Sequence, residues 1–294
     1  MVMKFPVETG GDRLLAAMNR RNAMRLMAAS AAGLVFDGAW VEPARLSITQ
    51  QDVICKRLSP GLDGLRIGLL ADFHYRPKED DNLLERVIQR VRQENLDLIA
   101  LSGDFINKDP GVLAPLLERL KTMTANHGVF AVMGNHDGWN GNPSKIRRQF
   151  EQSGISFLIN EHSKISIRGD ALAVAGTDFV WLGKPDPSRT LRGIPAEVPV
   201  LALVHEPDYF DVMTRDREIL LQLSGHTHGG QCRIPLIGYS PVTVKHGTKY
   251  IDGGFSRGDS NLFVTRGVGT TGLRVRFACP PELVILTLRS PVAV

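Results

Sequence analysis

LRIGLLADFHYRPKEDDNLLERVIQRVRQENLDLIALSGD, residues 65–104, is the stretch that decides the fold. Two apolar runs within it, LRIGLLA (65–71) and LDLIALS (96–102), are each about a strand long. Between them Asp80 and Asp81 can cap a helix. Its Leu83, Leu84, Val87, Ile88 and Val91 recur at the i, i+3, i+4 spacing of one apolar face. Strand, helix, strand is a βαβ unit and implies parallel pairing. Each run also ends in metal-ligand residue types: Asp72-Phe73-His74 after the first, Gly103-Asp104 after the second. Working outward, the pattern repeats. GVFAVM (128–133) leads into Gly134-Asn135-His136-Asp137, VPVLALV (198–204) into His205, and ILLQLS (219–224) into Gly225-His226-Thr227-His228-Gly229-Gly230. Open α/β sheets place their sites just outside the carboxyl ends of the strands. The repetition therefore predicts ligands gathered along one sheet edge.

The rest of the chain extends this reading. Pro110 opens a second helix carrying Leu113, Leu116, Leu117, Leu120 and Met123, and SKIRRQFEQSG (144–154) reads as a third, closed by Gly154. From Ile155 the rhythm changes. ISFLI, KISIRG, ALAVAG, TKYID, NLFVTRG and ELVILTLR read as strands with short turns and little helix between them. An α/β front half and a mostly antiparallel back half predict an α/β fold leaning towards α+β. Its expected architecture is two mixed sheets packed as a sandwich with flanking helices. One domain is expected over residues 54–290, with no linker or repeat inside it.

Composition bounds the function. The chain has 294 residues, 43% hydrophobic and 22% charged, typical of a globular protein. Its net charge of +4 sits mostly in residues 1–25, where five cations face two acids. The near-neutral remainder argues against a nucleic-acid groove. Cys55, Cys232 and Cys279 show no CxxC spacing and read as packing residues. Residues 1–45 are read as an export signal or membrane-associating segment. Within NRRNAMRLMAASAAGLVF (19–36) a twin arginine precedes an apolar run, an order that resembles a twin-arginine export signal. Asn19, Ala23 and Arg25 depart from the usual pattern. The other reading is a basic amphipathic helix that packs on the domain or touches an anionic membrane. The expected location is the cell envelope, with a cytoplasmic extension as the alternative.

Asp72, His74, Asp104, Asn135, His205, His226 and His228 supply carboxylate, amide and imidazole donors with no thiolate. That set suits Mn, Fe or Zn and disfavours Ca or a structural zinc site. Seven positions exceed one tetrahedral ion; two divalent ions sharing a carboxylate would use them all. Gly103, Gly134, Gly225, Gly229 and Gly230 flank the ligands where the backbone must turn.

The ordered set Asp72-x-His74, Gly103-Asp104, Gly134-Asn135-His136-Asp137, His205, Gly225-His226-x-His228 resembles the calcineurin-like metallophosphoesterase superfamily over residues 60–290. Gly229-Gly230-Gln231, Arg266-Gly267-Val268-Gly269-Thr270 and Pro280-Pro281-Glu282 are similar to a bacterial phosphodiesterase branch with twin-arginine or membrane-anchored N-termini, linked to UDP-diacylglucosamine-type hydrolysis. The resemblance implies a dinuclear phosphodiesterase or pyrophosphatase that uses a metal-bridging hydroxide on a phospholipid- or nucleotide-type substrate. A phosphomonoesterase or a non-catalytic scaffold of the same fold is the alternative. It implies Asp72, His74 and His228 on the first ion, Asn135, His205 and His226 on the second, and Asp104 bridging. It makes His136 catalytic, stabilising the transition state or protonating the leaving oxygen. In protein phosphatases of the superfamily a carboxylate three residues after the bridging Asp supports this histidine; here that position is Asn107, whose side chain is expected to orient the ring by a hydrogen bond without a charge. Asp137 is expected behind the ligands or as a cap, while Tyr75 and Arg76 either touch substrate or belong to a solvated loop. Trp181 and Leu191, in WLGKPDPSRTLRGIPAE (181–197), belong either to a substrate-side cap or to an ordinary surface excursion. The metallo-β-lactamase pattern HxHxDH fails, because Gly229-Gly230 follows His228.

Overall fold

The computed structural model describes residues 20–235, 240 and 244–291. The part of the N-terminal segment before Arg20 lies outside them. Two six-stranded sheets carry the chain. The first has the order β1-β12-β2-β3-β4-β5, built from β1 (Ser47–Ile54), β2 (Arg66–Leu70), β3 (Leu98–Leu101), β4 (Val129–Val132), β5 (Ser156–Leu158) and β12 (Glu282–Arg289). The second runs β10-β11-β9-β8-β7-β6, from β6 (Glu161–Ile167), β7 (Asp170–Gly176), β8 (Val200–Leu203), β9 (Leu221–Ser224), β10 (Gly253–Arg257) and β11 (Ser260–Val264).

Alternation along each strand builds the layers. Ile67, Leu69, Leu98, Ala100, Phe130 and Val132 of the first sheet meet Leu172, Val174, Leu201, Leu203, Leu221 and Leu223 of the second. The intervening residues, such as Leu70, Ile99, Leu101 and Ala131, face helices α2 (Asp81–Gln93), α3 (Leu113–Leu120) and α5 (Pro143–Gln152). The outer face of the second sheet packs Ala173, Ala175, Val200 and Ala202 against Ile194, Met213 and Ile219. Strands buried on both sides read as continuous apolar runs. Each fully buried Leu or Ile there contributes roughly 1.5–3 kcal/mol.

Three details differ from the sequence reading. The second sheet is parallel at its centre, with β7, β8, β9 and β11 side by side and antiparallel hairpins only at its two edges. Its crossovers hold only short helices, α6 (Pro187–Leu191) and α7 (Phe210–Met213), so the helical rhythm that marks parallel pairing is missing. Strand β1 precedes the expected start at Ile54. Its SITQQDVI is half-exposed at a sheet edge and has no apolar alternation to reveal it. Asp80 does not cap α2 with its side chain; it accepts from the Arg76 N–H at 2.9 Å instead.

Helix α1 (Arg20–Phe36) buries none of its residues. Packing on the domain therefore does not describe residues 20–36. The segment after it does dock. Arg276 N–H donates to Gly38 O at 2.9 Å, and buried Glu42 accepts from the N–H groups of Ala278 and Cys279. No helix among the described residues is long and apolar enough to cross a membrane.

Candidate metal centre

The parallel strands of both sheets point their carboxyl ends at one place. Asp72 and His74 leave β2, Asp104 follows β3, Asn135 starts helix α4 (Asn135–Asn140) after β4, His205 follows β8, and His226 and His228 follow β9. All seven are buried. Five of them hold left-handed backbone angles: Asp72 (φ 54°), His74 (38°), Asp104 (55°), His226 (73°) and His228 (51°). Such strain persists only where the surroundings over-determine it, and it concentrates at functional sites.

Gly134 has a different job from the one expected. Its φ of −97° suits any residue. What it permits is approach, since a Cβ there would lie 2.1 Å from Asp104 Oδ1. Asp137, from the same turn, ties the loops together. Its Oδ1 accepts from Phe105 N–H at 2.9 Å and Ile106 N–H at 2.8 Å, and its Oδ2 accepts from Gly134 N–H at 3.0 Å. Burial, then the Asp104 charge, push its carboxyl up to about 7.

Three groups of acidic and histidine side chains hold their donor atoms within 4.8 Å of one another: Asp72–His74–His228, His74–Asp104–His136 and Asp104–His205–His226. Asp104 Oδ2 lies 3.4 Å from His74 Nε2 and 3.2 Å from His205 Nε2, so one carboxylate oxygen joins the groups. His74 Nε2 and His228 Nε2 sit 3.0 Å apart. The two histidines of the Gly225–Gly230 loop diverge: the His226 ring lies 5.1 Å from His205, the His228 ring 4.9 Å from His74.

Cations fit this arrangement. His74 Nδ1, His228 Nδ1, His205 Nε2 and Asn135 Oδ1 are buried without a hydrogen-bond partner among the described residues. Buried polar atoms are nearly always paired, so four candidate ligands that each keep an unpaired nitrogen or oxygen suit a site for cations. Two rings have defined tautomers. His205 Nδ1–H donates to Ser102 O at 2.7 Å and leaves Nε2 as the donor; His226 Nε2–H donates to Lys245 O at 2.7 Å and leaves Nδ1. Burial holds His74 and His226 neutral, at about 3 for each, and holds His228 well below the usual imidazole range. Neutral imidazole is the ligating form. His205 is the exception. Burial disfavours its charge, but the Asp104 carboxylate outweighs that and raises its pKa well above the usual value. A cation binding at Nε2 has to displace that proton.

The remaining predicted residues sit around the groups. His136 Nδ1–H donates to the backbone carbonyl of Asn107 at 3.0 Å. The Asn107 side chain, expected to orient the ring, is not what does so. Asn140, which the sequence reading missed, donates to Asn107 O at 3.3 Å and to His136 O at 2.8 Å. Tyr75 is buried and its hydroxyl donates to Asp81 at 2.6 Å. Arg76 clamps a neighbouring loop through Thr270 Oγ1 at 2.8 Å and Thr270 O at 2.9 Å. Both donate to protein groups. Leu191 packs against the outer face of the second sheet.

The stretches 266–270 and 280–282 brace the first ligand. Gly269 N–H donates to Asp72 O at 2.7 Å, Val268 N–H to Ala71 O at 2.9 Å, and Glu282 N–H to Gly267 O at 3.0 Å. Arg276 holds that loop from within. Fully buried, it donates to the carbonyls of Gly269 (2.6 Å), Arg266 (2.8 Å), Cys279 (2.9 Å) and Gly267 (3.1 Å). Carbonyls reveal nothing in a sequence, so this brace was invisible there. Arg276→Met should leave several buried carbonyls unpaired, at about 1–3 kcal/mol each. Thermal unfolding followed by circular dichroism is expected to show Tm lower by roughly 10 °C. An unchanged Tm would mean the guanidinium is not structural.

A model of the calcineurin-like phosphoesterase family matches residues 65–230. The chain belongs to that family. The metallophosphoesterase YkuE of Bacillus subtilis (strain 168) is 31% identical over 290 residues, spanning 93% of this chain and 98% of that protein. The phosphodiesterase YaeI of Escherichia coli (strain K12) is 35% identical over 238 residues, spanning 76% of this chain and 82% of that protein. This calcineurin-like phosphoesterase is therefore a phosphoester hydrolase of a metal-dependent family. Its candidate metal-binding groups lie at the carboxyl ends of the matched strands.

Proposed function

We propose that this phosphoesterase is a dinuclear phosphodiesterase or pyrophosphatase acting on phospholipid- or nucleotide-type substrates. The observation that carries the two-ion reading is Asp104 Oδ2, placed 3.4 Å from one ligand group and 3.2 Å from the other. Asp72, His74 and His228 hold one cation, Asn135, His205 and His226 the second, and Asp104 both. The mixed oxygen and nitrogen donors favour Mn, Fe or Zn. Divalent ions there would polarise a phosphoryl oxygen and lower the pKa of bound water. His136, with Nδ1–H committed to Asn107 O, presents Nε2 to protonate the leaving oxygen. The Escherichia coli relative's name supports a diester over a monoester.

The test is hydrolysis of bis(p-nitrophenyl) phosphate against p-nitrophenyl phosphate with Mn, Fe and Zn, alongside bound-metal analysis. Diester turnover with two ions bound is expected. Turnover of the monoester alone favours a phosphomonoesterase; two ions bound with no turnover favours a scaffold.

The location we propose is the cell envelope, with α1 on a lipid surface. Met24, Leu26, Met27, Leu34, Val35 and Phe36 are exposed on it, Arg20, Arg21 and Arg25 are its cations, and Arg20–Phe36 has no acid. Basic apolar helices of this kind lie in anionic interfaces. Co-sedimentation with anionic but not neutral vesicles is expected; equal recovery with both would exclude the charge-based reading.

A further inference from the structure

Two tryptophans meet beside the candidate metal centre. The rings of Trp139 and Trp181 lie 4.7 Å apart at 87°, and Trp139 Nε1–H donates to Trp181 O at 3.1 Å. The pair borders the candidate acid and one candidate ligand: Trp139 is 5.1 Å from the His136 ring, and Trp181 is 6.3 Å from the His226 ring. Trp139 is 40% exposed and Trp181 half-buried, so this aromatic surface opens to solvent beside buried polar groups.

The corner is held rigidly. Asn160 Oδ1 accepts from Asp178 N–H at 3.0 Å and Asp186 N–H at 2.9 Å, and Asn160 Nδ2–H donates to Lys184 O at 2.8 Å. Glu206, buried next to His205, accepts from Trp181 N–H at 2.8 Å. The tryptophan loop is thereby referenced to a candidate ligand. Gly138 gives it room, since a Cβ there would meet Phe179 Cε1 at 2.1 Å. A preformed aromatic surface loses little entropy on binding.

We propose that Trp139 and Trp181 are specificity-determining residues that stack a planar, nucleobase-like arm of the substrate. This rests on the diesterase reading and chooses its nucleotide-type form. Two indoles at right angles give a flat group one face to stack on and a second to abut edge-on. Such stacking tolerates any base, because every base has a π face. The two rings lie 5.1 Å from His136 and 6.3 Å from His226, so a nucleotide whose phosphate sat at these histidines would have its base at the tryptophans. An alkyl arm is the rival occupant, because Leu182 is exposed on the same loop.

Binding of thymidine 5′-monophosphate, hexyl phosphate and methyl phosphate to the zinc-loaded full chain is read by tryptophan emission. The same three compounds are tested as inhibitors of methyl p-nitrophenyl phosphate hydrolysis. Thymidine 5′-monophosphate should bind about 10- to 100-fold tighter than methyl phosphate. Trp139→Ala and Trp181→Ala should each remove most of that advantage, and Trp139→Phe should restore much of it. Hexyl phosphate binding as tightly as the nucleotide overturns the proposal in favour of an alkyl arm. An advantage unchanged in both alanine variants also overturns it. A nucleotide preference that the variants lose, in a protein that hydrolyses no diester, leaves the corner standing and removes the diesterase reading.

Discussion

Asp104→Asn will abolish turnover, with activity lower by on the order of 10³-fold or more, and will strip bound metal. The two oxygens of its carboxylate have different partners. Oδ1 accepts from His136 N–H at 2.8 Å, which an amide oxygen can also do, so the fold should survive. Oδ2 faces His74 Nε2 and His205 Nε2, and an amide nitrogen there would turn its N–H groups toward the position a cation would take. The charge is lost as well. Burial opposes ionisation of Asp104, but the His205 ring, then His74 and His136, outweigh it and hold the carboxyl well below its usual range. The wild-type site therefore presents an anion across neutral pH, and the variant presents none. Metal analysis and diester turnover read the two consequences separately. A variant that keeps two ions and wild-type turnover would exclude Asp104 as the shared ligand.

His136→Ala should lower kcat by roughly 10²–10⁴-fold, as expected for loss of a positioned acid–base group, while metal content stays unchanged. The ring stands edge-on to His74, with centroids 4.7 Å apart, and its Nδ1–H is spent on Asn107 O. Only Nε2 remains for the substrate. Because a carbonyl makes that contact, Asn107→Ala should leave kcat within about threefold, a difference of well under 1 kcal/mol. Loss of metal in His136→Ala would make the ring a ligand. A large effect of Asn107→Ala would return the orienting role to its side chain.

The seven candidate ligand positions were legible because each follows an apolar run, and the end of a strand in an α/β sheet is a fixed address. Ligand type and spacing added the chemistry. The groups behind them were not legible. Ser102 O, Lys245 O and Asn107 O set imidazole tautomers, yet any residue type supplies a carbonyl. Trp139 did carry a signal, since its i, i+3 spacing from His136 in a short helix places both on one face. Its pairing with Trp181, 42 positions later, carried none. The back half misled for a related reason: its parallel strands are joined by loops, and no helical rhythm announces a crossover.

The sequence by itself determined the two-sheet fold, the family and which side chains can serve as metal donors. These are local properties, set by apolar periodicity and by what stands at each strand end. Only the tertiary structure decided which donors face one carboxylate oxygen, that Tyr75 and Arg76 donate to Asp81 and Thr270, and that a buried Arg276 holds the loop behind Asp72. Those outcomes depend on where distant segments cross, and the closure of long loops leaves no periodic trace along the chain.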